Sequence, residues 1–178
     1  MKKDINLLTN KFQLQEIYDF RVHAWENSPA KNTVNRILFP NGWSDGVDDF
    51  SLIWYKKNDL GQIIATARLT YFDDVQNAID IGIDLTTVEL PPQRPFGFLS
   101  RLAIDKSFRG KGLSRCFDEI RLNKLKKDKI PFGLVEVIDQ RVEGLKALGF
   151  KVIGMVKFKP NSQGQEETLN LMIYKNNE

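Results

Sequence analysis

The sequence contains very few of the residues that build disulfides, metal centres or membrane spans. Among its 178 residues there is one cysteine, Cys116, and one histidine, His23. A single cysteine cannot close an internal disulfide, and a metal site made of several histidines or cysteines cannot be built. No apolar stretch approaches the roughly 20 residues of a spanning helix, and the first residues lack the apolar run of a secretory signal. We therefore expect a cytoplasmic protein with no bound metal and no membrane partner.

Charge of one sign is also scarce. The chain has 26 lysines and arginines against 23 aspartates and glutamates, which gives a formal net charge of +3. This balance provides no general attraction to nucleic acid, so none is expected as a partner. The length suits one domain with a core of its own, and we expect a single domain over 1–178.

The most informative stretch runs from Phe98 to Ser114 and is typical of a strand, a short loop and the first turn of a helix. Two glycines, Gly110 and Gly112, allow the backbone to turn tightly and to approach a ligand closely. The first helical turn adds unpaired N–H groups and the positive end of the helix dipole. These features predict a phosphate cradle, although an isolated match of this kind is also compatible with a solvent-exposed turn. The glycine patterns of nucleoside-triphosphate and dinucleotide sites do not occur.

The same residues resemble a family signature. Leu102-Ala103-Ile104 followed by Arg109-Gly110-Lys111-Gly112-Leu113-Ser114 is similar to the acyl-CoA signature of the GNAT superfamily of N-acetyltransferases, Arg/Gln-x-x-Gly-x-Gly/Ala after an apolar strand. Downstream, Leu148-Gly149-Phe150 resembles the Leu-Gly-Phe that ends the family's next strand–helix unit. Ser114 departs from the signature, since glycine or alanine is usual at that position.

This resemblance implies an N-acetyltransferase that uses acetyl-CoA as acyl donor. It implies that the strand residues Leu102, Ala103 and Ile104 bind the cofactor, with the backbone of Leu102 and Ile104 pairing with pantetheine. The pyrophosphate would then be held by the N–H groups of the cradle, which are those of Arg109, Gly110, Lys111, Gly112, Leu113 and Ser114. In the family fold, pantetheine enters a gap between two splayed parallel strands, here the signature strand and the strand that carries Glu136.

Periodicity and turn residues predict a mixed α/β (α+β) domain with a mostly antiparallel sheet flanked by helices. Together with the splayed parallel pair, this order matches the GNAT fold along most of the chain. The predicted strands are near 5–8 and over 50–55, 63–71, 98–104, 132–138, 150–158 and 168–174. The predicted helices cover 11–27, 112–127 and 140–148, with one short helix inside 29–49 and one short element inside 73–95. Alternation places Arg68 at the solvent-facing side or rim of its strand. Cys116 falls on the apolar stripe of its helix and is expected to be a core residue.

The acceptor can be assigned only to a class, an amine on a small molecule or a peptide. Trp43 is followed by Asp45, Asp48 and Asp49, and an aromatic face beside carboxylates can hold a cationic amine. By resemblance, the acceptor wall lies in this region, between the first and second strands. The alternative for 43–49 is a solvated turn. The chain is expected to act as a monomer or a homodimer.

Acyl transfer to an amine needs a general base, and Glu136 is the first candidate. It lies in an apolar strand, and partial burial would raise the proton affinity of its carboxylate. The alternative is a structural glutamate that pairs with an arginine or lies on the rim of the sheet. Asp105, Asp45 and Glu26 are weaker candidates for the base.

The general acid is less clear than the base. Many relatives carry a tyrosine three residues before the leucine of Leu-Gly-Phe, where this sequence has Leu145. Tyr174 is a possible general acid, with Tyr71 or water as alternatives. Two other functions are compatible with the sequence: an acyltransferase resembling the acyl-homoserine-lactone synthases, and a non-catalytic domain that binds or senses acyl-CoA.

Overall fold

The computed structural model describes residues 4–176, which form seven strands and four α-helices. The strands are β1 (Ile5–Leu7), β2 (Leu52–Lys57), β3 (Ile63–Phe72), β4 (Phe96–Ile104), β5 (Phe132–Val137), β6 (Lys151–Phe158) and β7 (Glu167–Lys175). The helices are α1 (Leu14–Glu26), α2 (Val75–Asp80), α3 (Leu113–Lys127) and α4 (Asp139–Lys146). Short 3₁₀ turns cover Lys11–Gln13, Asp48–Phe50 and Lys106–Phe108.

The strands form a seven-stranded sheet in the order β1-β2-β3-β4-β5-β7-β6. Pairing is antiparallel for β1 with β2, β5 with β7 and β6 with β7, and parallel for β4 with β5. The predicted mixed sheet with one parallel pair is therefore confirmed. The parallel register ends at Leu99 and Val135 and does not include Ser100 and Glu136, the next residue on each strand.

The described chain forms two compact units. The first contains the chain up to Arg68 together with Arg101–Asp118 and Lys159–Gln165. Its core is built on the apolar face of α1, because residues spaced by three or four positions lie on one side of a helix. The buried members of this core are Leu14, Ile17, Phe20, Ala24, Ile53, Ile63 and Ala103.

The second unit contains Leu69–Ser100, Glu119–Phe158 and the chain from Glu166. The rings of Phe96 and Phe132 stack with their centroids 5.4 Å apart. Beside them, Gly97 and Gly133 face each other across the parallel pair. A Cβ on either glycine would lie within 2.6 Å of a Leu125 methyl carbon, so the close packing of α3 on these strands requires glycine at both positions.

The expectation of a short helix inside 29–49 is wrong. This described segment holds turns, and no α-helix precedes the 3₁₀ turn at Asp48–Phe50. The side chain of Asn35 accepts hydrogen bonds from the N–H groups of Ile37 and Leu38. This is the bonding of a helix N-cap, and the N–H of Phe39 bonds to the carbonyl of Asn35 at 2.9 Å, but the turn goes no further because Pro40 has no N–H and disfavours helix at the residue before it. Because Phe50 belongs to the 3₁₀ turn, β2 also begins two residues later than predicted.

The expected positions of Arg68 and Cys116 are also corrected by the structure. Every residue of β3 except Tyr71 is buried, and Arg68 is 2 % exposed and not at a rim. Alternation describes a strand with one solvated face, which β3 lacks. Cys116 is half-buried and lies outside the fully buried core, whereas Leu113 and Phe117 on the same helix are buried. Among the described helices, none combines the length and the apolar character that a membrane crossing requires.

Candidate functional site

The predicted cradle follows directly on the end of β4. Asp105 caps a single 3₁₀ turn, because its carboxylate accepts a hydrogen bond from the N–H of Ser107 at 2.8 Å. The chain then passes through Gly110 and Gly112 and enters α3 at Leu113. The sequence prediction of a strand, a tight loop and a helix N-terminus is therefore confirmed.

The two glycines of the cradle both have left-handed backbone conformations, with φ of +74° at Gly110 and +76° at Gly112. Residues with a Cβ rarely adopt such angles. At Gly110, no other protein atom lies within 4 Å of the position that a Cβ would take. The backbone at Gly110 is therefore open to an approaching ligand. Beyond Gly112, the first N–H groups of α3 have no preceding carbonyl within the helix to bind.

Arg109, the first residue of the signature, turns its side chain toward the end of α1. Its guanidinium donates hydrogen bonds to the carbonyl oxygens of Ile104 at 3.0 Å, Asn27 at 2.9 Å and Ala24 at 2.7 Å. A cation at a helix C-terminus is favourable because the last carbonyls are unpaired and carry partial negative charge. The Arg109 side chain thus fixes the cradle to α1, and its backbone N–H bonds to the carbonyl of Lys106 at 3.4 Å.

A second group of polar residues in the same unit, here called the arginine cluster, consists of Arg21, Arg68, Arg101, Asp45 and Asp48. Arg21 binds Asp48 in a fork, with both N–O distances at 2.8 Å. Arg68 reaches Asp45 at 2.5 Å and Asp48 at 3.1 Å. Arg101 donates to the second oxygen of Asp45 at 2.5 Å. Such charge-assisted bonds are strong because donor and acceptor are both ionised.

The cluster shifts the titration of its own members. Burial would raise the pKa of Asp45, but the charge of Arg101 and the hydrogen bond from Arg68 outweigh it and hold that pKa well below its usual range. Burial also lowers the pKa of Arg101 to about 10, and the positive charges of Arg68 and Arg21 act in the same direction, against the attraction of Asp45. Three guanidinium groups therefore share two carboxylates in an environment that is largely shielded from solvent.

Arg101 occupies an unusual backbone position within β4. Its φ is +53°, an angle that costs energy for a residue with a Cβ. The guanidinium carbon lies 3.9 Å from the centroid of the Trp43 ring. Trp43 is 1 % exposed, so the expectation that this aromatic face contacts a ligand amine is wrong. The cation that it holds is supplied by the protein. The alternative of a solvated turn is met only in part, since Ser44, Gly46 and Asp49 are exposed whereas Trp43, Val47 and Asp48 are buried.

Two donors in the cluster have no acceptor. The Nε atoms of Arg21 and Arg101 are buried and make no hydrogen bond. Arg101 is the more accessible of the two arginines, with a side chain 13 % exposed against 0 % for Arg21. Asp45 beside it is 27 % exposed, so the Asp45–Arg101 edge of the cluster reaches the surface.

The weaker base candidates are all engaged with neighbouring groups. Asp45 is held ionised by two arginines. The carboxylate of Asp105 lies 3.2 Å from His23 Nε2 and also accepts the capping bond. Glu26 accepts a hydrogen bond from the backbone N–H of Arg36. Within residues 4–176, no group of three or more histidine, cysteine, aspartate or glutamate side chains is placed to hold a metal ion.

In the second unit, Glu136 is half-buried on β5 between the buried residues Val135 and Val137. Its Cα is in register with Leu171 on β7, and it directly follows the last residue of the parallel pairing. Glu136 thus lies in an apolar strand, as predicted, and its role as a base stays a prediction.

The candidate acids also lie in the second unit. Tyr174 is in register with Gly133, three residues along β7 from Leu171, which is about 10 Å in an extended strand. Its ring packs on Phe150, with centroids 5.5 Å apart. The hydroxyl of Tyr71 donates to Asp128 at 2.7 Å, and burial together with this bond raises the pKa of Tyr71. Leu145 is fully buried, so this position contributes to the core.

The arginine cluster is the part of the site that the sequence did not reveal. An Asp-x-x-Asp spacing at Asp45 and Asp48, together with arginines inside apolar stretches at positions 21, 68 and 101, was the available signal. A charged residue in an otherwise apolar run is rarely buried without a partner, so three such arginines point to pairing with carboxylates elsewhere in the chain.

Comparisons with known proteins identify the fold. No family model matches the chain, and no curated protein matches it. Among solved structures, a GNAT superfamily phosphinothricin acetyltransferase from Sinorhizobium meliloti in complex with acetyl-CoA matches with a TM-score of 0.64 at 13 % identity, covering 97 % of this chain and 88 % of that one. The acyl-homoserine-lactone synthase LasI matches with a TM-score of 0.63 at 18 % identity, covering 95 % and 88 %.

A third match is FeeM, an N-acyl amino acid synthase from uncultured soil microbes, with a TM-score of 0.63 at 11 % identity, covering 96 % of this chain and 89 % of that one. The chain therefore has the fold of the GNAT acetyltransferases, and the resemblance seen in the signature is confirmed at the level of the fold.

Proposed function

We propose that the chain is an acyl-CoA-dependent N-acyltransferase of the GNAT superfamily, with acetyl-CoA as donor and an amine as acceptor. The observation that carries this proposal is the cradle. An open, left-handed glycine backbone lies between the end of β4 and the N-terminus of α3, within the GNAT fold. Backbone donors and a helix N-terminus suit the pyrophosphate of CoA.

The cofactor would be held mainly by main-chain groups of the first unit. We assign pantetheine to the strand residues Leu102, Ala103 and Ile104, and pyrophosphate to the N–H groups of the cradle. The cradle residues are Arg109, Gly110, Lys111, Gly112, Leu113 and Ser114, of which Arg109 has its N–H already bonded to the carbonyl of Lys106. The side chain of Arg109 acts by positioning, since its three hydrogen bonds go to carbonyls of the protein.

The reaction follows from this assignment. The acceptor nitrogen attacks the thioester carbonyl carbon, a C–N bond forms, and the C–S bond breaks. The nitrogen loses a proton to a base, for which we propose Glu136, and the departing CoA thiolate takes up a proton. Fixing donor and acceptor side by side supplies much of the rate, because a bimolecular step becomes effectively unimolecular.

Among the tyrosines, Tyr174 is the candidate donor of the proton that the thiolate takes up, since Tyr71 is bonded to Asp128. Its partner on β5 is three residues from Glu136, and side chains an odd number of residues apart point to opposite faces of a strand, so water is the alternative donor. The variant Tyr174→Phe tests this role. A fall in kcat with unchanged affinity for acetyl-CoA would support it, and an unchanged kcat would assign the proton to water.

The proposed function is tested by isothermal titration of the purified protein with acetyl-CoA, desulfo-CoA and ATP. We expect binding of both CoA ligands and none of ATP, and loss of CoA binding in Gly112→Trp. Acetyl-CoA binding without CoA release on any amine would favour the non-catalytic domain. Absence of binding by both CoA ligands would remove the transferase proposal.

The second candidate concerns the acceptor. Two of the similar structures are named as an acyl-homoserine-lactone synthase and as an N-acyl amino acid synthase. The sequence suggested that 43–49 presents carboxylates and an aromatic face to the acceptor. In the structure, guanidinium groups of the arginine cluster pair with those groups, and this favours an acceptor that carries an anionic group. A screen of acceptors by CoA release separates this candidate from an acetyltransferase that acts on uncharged amines.

A further inference from the structure

We propose that Arg101 binds the carboxylate of the acceptor, so that the chain acylates the amino group of an α-amino acid or a close derivative. This rests on the proposed function, because it names the acceptor class of the same acyl-transfer site.

The polarity of the site does not suit a cationic ligand. An aromatic ring flanked by carboxylates would attract a cationic ligand. Here the face of Trp43 is covered by the guanidinium of Arg101 at 3.9 Å, and Asp45 is bonded to Arg101 and Arg68. The groups that would have held an ammonium ion are therefore already neutralised by the protein.

Arg101 has hydrogen-bond donors that are not used within the protein. A guanidinium carries five N–H donors, and Arg101 donates one hydrogen bond, from Nη2 to Asp45. Its Nε is buried without an acceptor. A buried donor that is left unpaired is unfavourable, and a planar guanidinium matches the two oxygens of a carboxylate.

The charges around Arg101 also favour an anionic ligand. Arg101 shares Asp45 with Arg68, and burial together with repulsion from Arg68 and Arg21 lowers its pKa. A ligand carboxylate placed beside Arg101 would offset that repulsion. The attraction between the ligand carboxylate and Arg101 would be strong because the surroundings of Arg101 are largely shielded from solvent.

Arg101 lies close in the chain to the residues assigned to the cofactor. Arg101 lies on β4 immediately before Leu102, the first residue assigned to pantetheine. Its side chain keeps 13 % of its surface exposed, and Trp43 together with Asp45 fixes its orientation. In an α-amino acid the nitrogen is two bonds from the carboxyl carbon. Anchoring the carboxylate at Arg101 would therefore hold the nucleophile beside the strand that holds the thioester.

The reaction balances without another reactant. The amino nitrogen forms a bond to the acyl carbon, the C–S bond of the thioester breaks, and the nitrogen loses a proton to the base. The thiolate is protonated and leaves as CoA. The products are an N-acyl amino acid and free CoA, and no electrons are exchanged with an oxidant or a reductant.

The test compares matched acceptors on the full chain. Each L-amino acid is assayed beside its amide, with acetyl-CoA and with longer acyl-CoA donors, by release of the CoA thiol. We expect at least one free amino acid to be used with a kcat/KM at least tenfold above that of its amide. Amides used as well as or better than the acids would overturn the proposal, and so would CoA release with no amino acid in the set.

Two variants assign that preference to Arg101. In Arg101→Gln the ratio of acid to amide should fall at least tenfold, mainly through KM, and Arg101→Lys should restore only part of it because lysine lacks the planar fork. The exposed Arg36, which pairs with Asp19 at 2.7 Å, provides the control: Arg36→Gln should keep the ratio within twofold. An unchanged ratio in Arg101→Gln would contradict the assignment.

Titration with acetyl-CoA separates this proposal from the proposed function. If wild type binds acetyl-CoA and acylates amides or simple amines as readily as amino acids, the transferase remains and the role of Arg101 is wrong. If wild type binds no CoA ligand, the transferase itself is wrong.

Discussion

The guanidinium of Arg101 lies 3.9 Å from the centre of the Trp43 ring. The two residues are far apart in the sequence, and Arg101 has a left-handed backbone conformation within β4. Asp45, two positions after Trp43, fixes the other side of the guanidinium. Trp43 and Asp45 together thus hold the guanidinium of Arg101 in place.

Asp48 is expected to be the most costly carboxylate to remove. It is 3 % exposed and binds Arg21 in a fork, so Asp48→Asn leaves a buried guanidinium without its counter-charge. Breaking a buried pair in this way costs about 3–5 kcal/mol. The free energy of unfolding in urea measures this, with Asp19→Asn as control. The exposed Asp19–Arg36 pair should contribute no more than about 1 kcal/mol, and equal losses in the two variants would contradict the account.

The pH dependence of stability should report Asp45. Its pKa is lower in the folded protein than the usual value of about 3.9 in an unfolded chain. The unfolded state therefore binds its proton first as the pH falls, and the stabilisation present above about pH 4 is lost below it. Urea unfolding between pH 7 and pH 3 should show a shallower acid loss in Asp45→Asn than in wild type. Asp59→Asn, at an exposed position of the β2–β3 turn, should keep the wild-type slope.

Arg109 is expected to stabilise the fold as well as the cradle. Arg109→Lys keeps the charge but cannot reach the carbonyls of Ala24, Asn27 and Ile104 together. A hydrogen bond from a charged group contributes roughly 1.5–3 kcal/mol, and we expect a loss of that order in urea unfolding. Lys111→Gln is the control, since this exposed lysine bonds one carbonyl and its replacement should change stability by less than about 0.5 kcal/mol. An Arg109→Lys protein as stable as wild type would show that the three bonds do not hold the cradle.

Glu136→Gln should separate catalysis from binding. The amide keeps the size of the side chain but cannot accept the proton of the acceptor amine, and loss of a general base lowers rates about 10²–10⁴-fold. Affinity for acetyl-CoA should not change. Glu143→Gln, at a side chain 82 % exposed, serves as control in the same assay. Transfer by Glu136→Gln at the wild-type rate would remove the assignment of the base and leave the enzyme proposal intact.

Much of the fold could be predicted because most elements depend on local sequence. The apolar spacing of α1, the turn at Asn58–Gly61 and the strand–loop–helix over 98–127 are each encoded within about 30 residues. The prediction failed in 29–49, where the turn capped by Asn35 ends at Pro40 and buried Trp43 fixes the chain through tertiary contacts.

The arginine cluster could not be predicted in the same way. Arg21 and Asp48 are 27 positions apart, and Arg101 and Asp45 are 56 positions apart. No local pattern records such pairs, and the alternation of β3 placed Arg68 toward solvent because it assumed one exposed face. The glycines of the cradle were predictable because their left-handed conformation is a requirement of the loop itself.

The most direct measurement of the central claim is a titration with acetyl-CoA of wild type, Gly110→Val and Gly61→Val. The two glycines have nearly the same φ, +74° and +77°, and apart from their own chain neighbours neither has a residue within 4 Å of its Cβ position. Valine should therefore strain both turns similarly, but only Gly110 lies in the cradle. The account predicts that Kd rises at least tenfold in Gly110→Val and stays within twofold in Gly61→Val. Equal affinities in the three proteins, or no binding by wild type, would contradict it.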